Sequence, residues 1–129
     1  MNEPYEIAAL HFFEGKPLEL ALYEAFAEKV LDAFPEAIVQ VQKTQVAFSN
    51  RHHFAFVSLP VRRVKGWPEH CIIVTFGLFY RLKSPRISIA VEPYPNRWTH
   101  HVLVSDEDEL DSELMNWISE AYAFSKSKR

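Results

Sequence analysis

Two short strings hold most of the polar chemistry in this chain. The first runs Lys43-Thr44-Gln45-Val46-Ala47-Phe48-Ser49-Asn50-Arg51 and the second Asn96-Arg97-Trp98-Thr99-His100-His101. Lys43, Arg51 and Arg97 offer positive charge, and Thr44, Gln45 and Asn50 offer hydrogen-bond donors. Together they suit a carboxylate or phosphate, because charge-assisted hydrogen bonds to such groups are the strong ones. Trp98 supplies a flat apolar wall and His100 or His101 a further polar contact. Neighbouring strand residues face opposite ways. Trp98 and His100 are therefore expected on one face, and Arg97, Thr99 and His101 on the other.

Other chemistries find less support. His52, His53, His100 and His101 are numerous enough for zinc, yet they lack helical His-x-x-x-His spacing and a nearby acid cluster. There is no Gly-x-Ser-x-Gly elbow. The three glycines lie far apart, which removes phosphate-cradling loops of the Walker or Rossmann kind. Cys71 lies in an apolar run with Ile72 and Val74 and reads as a small buried thiol. The reading leans away from an enzyme, and it implies no metal and no cofactor.

The elements that must position these strings follow from periodicity. Tyr5–Phe13 suits a short helix ended by Gly15, and Pro17 opens a longer one. Leu22, Phe26, Val30 and Ala33 mark the apolar face of that second helix, Glu19, Glu24, Glu28 and Asp32 its polar face, and Pro35 its end. From Ile38 to Val104 the texture turns β-branched and aromatic. It predicts strands at Ile38–Gln42, Gln45–Ser49, His53–Leu59, Cys71–Tyr80, Arg86–Val91 and Trp98–Val104. Val39 and Val41 are out of phase with Val46 and Phe48, so a bulge, tight turn or break is expected at Lys43–Gln45. A capping pair at Ser105 and Asp108 predicts a last helix over 106–124, followed by a frayed tail at 125–129. Short links between strands favour an antiparallel meander. The expected fold is thus a single α+β domain over 1–129, an antiparallel sheet of five or six strands with the terminal helices on one face.

Charge is unevenly divided. Ala37–Val104 holds nine basic residues against Glu69 and Glu92, a balance of +7, while the remainder stands at −10 and gives the net −3. A basic sheet beside acidic helices attracts anions. The primary expectation is an anionic small molecule. The alternatives are nucleic acid, with aromatics such as Phe56 and Trp98 as stacking platforms, or docking to a partner protein. No stretch approaches the roughly 20 apolar residues of a membrane span, and Met1-Asn2-Glu3-Pro4 does not begin a secretory signal, so the expected compartment is the cytoplasm without membrane contact. Oligomeric state is left open.

The strings Phe13-Glu14-Gly15-Lys16-Pro17, Lys43-Thr44-Gln45-Val46-Ala47-Phe48, Phe54-Ala55-Phe56-Val57, Ser84-Pro85-Arg86-Ile87 and Arg97-Trp98-Thr99-His100-His101 together resemble a bacterial family described only as a domain of unknown function. The resemblance spans about Ile7 to Tyr122. Its members look like free-standing small proteins or tails on larger ones. A weaker, architectural similarity is to YdhG-type domains. The resemblance implies no activity.

Overall fold

The computed structural model describes residues 3–62 and 64–128, the side chains of residues 3–6 excepted. Met1 and Asn2 of the terminus, Arg63 of the basic set and Arg129 of the tail lie outside the described residues. Helix α1 (Glu3–Phe12) ends in a turn at Gly15, whose φ of +76° lies in the left-handed region that glycine enters without strain. Helix α2 (Pro17–Ala33) then begins with proline at its first turn, where no N–H is required. Its buried stripe is Leu22, Tyr23, Phe26, Ala27 and Val30, joined by Glu19. Burial of Glu19 corrects the expectation that this carboxylate belongs to the solvated face: it sits one turn before Leu22 and Tyr23, on the same side.

Six strands follow: β1 (Ile38–Val41), β2 (Val46–Ser49), β3 (His53–Ser58), β4 (Ile72–Leu78), β5 (Ile87–Tyr94) and β6 (Arg97–Val104). All pair antiparallel in the order β1-β2-β3-β4-β6-β5. Chain order is broken once, where β6 takes the place beside β4 and β5 lies outside it. The phase change near Lys43 is a tight turn: Val39 stands opposite Phe48, and the Gln42 N–H donates to the Gln45 carbonyl at 2.8 Å. The turn lets Val39, Val41, Val46 and Phe48 share one face. A register shift lies further on. Phe48 faces Ala55 and Ser49 faces His53, so Phe54 is the extra residue of a bulge. It turns inward with Ala55, against Phe34 and Tyr122.

A 3-10 turn, Glu107–Glu109, precedes helix α3 (Ser112–Ser127). The capping box is Asp106 with Glu109 rather than Ser105 with Asp108, and Asp111 caps α3 by accepting from the Leu114 N–H at 3.0 Å. The helix runs on to Ser127, into the segment expected to fray, because Ser125 is buried beneath the β2–β3 turn. All three helices cover one side of the sheet. Phe26 meets Phe48 edge to face, Trp117 stacks on Phe76, and Phe13 stacks on Tyr23. Burial of such aromatic side chains dominates the core, at about 3–5 kcal/mol for each truncated to alanine. Among the described residues, no helix is long and apolar enough to cross a membrane.

Candidate functional site

The face without helices carries alternate residues of β3, β4 and β6: Phe56, Thr75, Gly77, Arg97, Thr99 and His101. At the end nearest the Asn50–His52 turn this face dips into a hollow of about 330 Å³. Gly77 contributes no side chain to the floor. Arg97 enters from β6, His52 from the turn before β3, His53 from the first position of β3, and Lys128 from the residue after α3. Among the described residues no acidic side chain lines this hollow. Among the described residues neither Arg97 nor Lys128 forms an ion pair. Burial, and then the positive charge of Arg97, push the Lys128 ammonium below its usual range. His52 Nε2 is buried and makes no hydrogen bond among the described residues.

Each residue singled out in the sequence has a definite place. Lys43, Thr44 and Gln45 form the β1–β2 turn, where Gln45 Nε2 donates to Gln42 Oε1 at 3.0 Å. The register joins Val46, Val57, Val74 and Val102 in one row across the sheet, with Arg97 five residues from its end. Roughly 16 Å of strand therefore separates Lys43–Gln45 from Arg97, and those two segments do not converge, whereas the Asn50-Arg51 end of the first string lies at the Arg97 end of the sheet. Asn50 is committed internally. Its amide donates to the Tyr122 carbonyl at 3.0 Å and accepts from the His52 N–H at 3.2 Å and the Ser125 hydroxyl at 2.9 Å. Arg51 is exposed at the same turn.

The paired histidines divide as strand alternation requires. His100 is fully buried, stacked on Phe76, and its Nε2 accepts from the Leu82 N–H at 2.9 Å. That bond places the ring proton on Nδ1. His100 thereby holds the start of the β4–β5 link. His101 lies on the uncovered face with Nδ1 2.8 Å from Thr75 Oγ1. Burial is the main cause that lowers both pKa values, so both rings are neutral at pH 7. Trp98 shares the helix side with His100, half-buried under the Arg81 guanidinium 5.6 Å from its ring centre.

Sequence reasoning missed Lys128, which belongs to the expected frayed tail, and it weighed His52 and His53 only as metal ligands. It also missed the buried Glu19, which donates no apolar signal but follows the spacing of Leu22, Phe26 and Val30. Among the described residues, no three His, Cys, Asp or Glu side chains gather as metal ligands would. A second basic hollow of about 340 Å³ borders the β4–β5 link, with Arg81, Lys83, Ser84 and Ser88 on its walls.

Fold and site define a small α+β domain whose antiparallel sheet has helices on one side and a hollow lined by Arg97 and Lys128 at one end. The chain belongs to the family of the domain of unknown function DUF5655, whose model matches residues 11–125. No curated protein and no solved structure matches the chain.

Proposed function

We propose that the protein is a binding module for a small anionic molecule, held on the uncovered face of the sheet. One observation carries this reading: Arg97 and Lys128 converge on a hollow that no acidic side chain lines among the described residues. Two cations brought together without a counter-charge repel one another, and a bound phosphate or carboxylate relieves that repulsion while accepting from the guanidinium. His52, with an unsatisfied ring nitrogen, and Thr99 add neutral contacts. Of the residues marked in the sequence, Arg97 contacts the ligand, Arg51 adds field from the rim, and His101 with Thr75 holds the floor. Lys43, Thr44, Gln45 and Asn50 have no part in it.

Thermal-shift titration with inorganic phosphate, sugar phosphates and short carboxylates, at low and moderate salt, tests the reading. A salt-tolerant rise in midpoint, lost in Arg97→Ala and Lys128→Ala but kept in Lys83→Ala, is the expected result. Retention in the first two variants and loss in the third moves the site to the hollow beside Arg81. Stabilisation by oligonucleotides alone, vanishing as salt rises, replaces the small anion with nucleic acid. Silence across the whole panel sinks the proposal.

A further inference from the structure

A third cavity, of about 310 Å³, opens at the other end of the sheet, between the start of α2 and the chain linking β3 to β4. Leu59, Val61 and Trp67 give it apolar walls. Glu19 lines its inner end and is 3% exposed. Glu19 Oε2 accepts from His70 Nδ1 at 3.2 Å, while Oε1 is buried and has no hydrogen-bond partner among the described residues. A carboxylate taken from water with one long hydrogen bond is costly unless further donors complete it. Lys16 and Arg62 line the cavity as exposed side chains, with the exposed Glu69 offsetting one of the two charges.

This arrangement distinguishes between ligand types. A simple anion meets Glu19 at the inner end. A simple cation meets a rim with an excess positive charge. A metal ion finds one carboxylate already engaged by one imidazole and no third ligand among the described residues.

We propose that this cavity binds a small zwitterion of the amino-acid type, its ammonium donating to Glu19 Oε1 and its acidic group meeting Lys16 and Arg62. The inward ammonium supplies a charge-assisted hydrogen bond at a carboxylate oxygen that has no partner among the described residues, in surroundings where such a bond is stronger than in water. The site is separate from the basic hollow on the uncovered face, and neither reading depends on the other.

The test is titration of the full chain with glycine, 4-aminobutyrate and 6-aminohexanoate, set against butylamine and butyrate and followed by melting midpoint and tryptophan fluorescence. At least one amino acid is expected to bind. Glu19→Gln, which retains an acceptor for His70, should weaken it roughly tenfold or more. Arg62→Glu, an exposed change that leaves packing untouched, should weaken it severalfold without lowering the midpoint of the free protein. Absence of a response to all three amino acids overturns the proposal, as does a response unchanged in both variants. Butylamine binding as tightly as the best amino acid overturns the role given to Lys16 and Arg62. Circular dichroism of each variant separates loss of binding from loss of fold.

Discussion

Thr75 Oγ1 and His101 Nδ1 lie 2.8 Å apart across the β4–β6 pair, on the side of the sheet that no helix covers. One residue along, on the covered side, Phe76 stacks on His100 with ring centres 5.3 Å apart. Burial disfavours the charged form of both imidazoles and holds their pKa values below the ordinary 6.5. Between that unfolded value and the lower folded one, the unfolded chain binds more protons than the native state. Stability is therefore complete above about pH 6.5 and falls as the solution is acidified through that window. The melting midpoint should be level from pH 8 to 7 and decline from pH 6.5 toward 5, less steeply in His101→Asn. A midpoint that rises on acidification would contradict this assignment.

Asn50 joins the β2–β3 turn to the end of α3 through the Tyr122 carbonyl and the Ser125 hydroxyl. Replacing it by alanine leaves part-buried partners without bonds, at about 1–3 kcal/mol. Urea unfolding of Asn50→Ala should show a lower midpoint with the same slope. Ser125→Ala should cost less, and the double variant less than the sum, because the pair shares one bond.

Arg86 gathers three acceptors: its Nη1 donates to Asp111 at 2.8 Å and Glu113 at 3.1 Å, and its Nη2 to the Glu109 carbonyl. The guanidinium also lies over Trp117. Lysine cannot reproduce this planar fork. Arg86→Lys should destabilise by about 1–2 kcal/mol. Asp111→Asn, which keeps the helix cap but loses the charge, should be milder. Equal effects of the two changes in denaturant titration would refute the fork as the source.

The Cys71 thiol is buried at the edge of the Glu19 cavity, and burial, followed by Glu19 and Glu109, raises its pKa. A raised pKa and little access both slow thiolate chemistry. Labelling by an aromatic disulfide at pH 8 should be at least roughly tenfold slower in the native protein than in urea. Rapid native labelling would show an opening of the β3–β4 link that the static fold lacks.

Much of the frame was legible because periodicity reports burial directly. The strands stand near their expected ranges, and Trp98, His100 and His101 take the faces that alternation assigns. The site was legible only in part. Which loops meet depends on strand order, and nothing in the local pattern around Lys43–Gln45 or Arg97 reveals that a full strand length separates them. Asn50 reads as a free donor in sequence because its partners, Tyr122 and Ser125, lie more than seventy residues away. Glu19 was misplaced for the opposite reason: its residue type argued for solvent while its spacing argued for the core.

The exchange of β5 and β6 constrains how the chain reaches this fold. A sheet laid down in chain order would add each strand to the last one formed. Here the strand that follows β4 in sequence cannot be the next to dock, since its final neighbour is β6 alone. The Pro95-Asn96 turn closes β5 and β6 into a local hairpin, Asn96 taking a φ of +62°. Local closure is fast, and pairing between distant segments is slow. Docking of that hairpin through β6 onto β4 is therefore the long-range step that completes the sheet, and it also carries His100 onto Phe76.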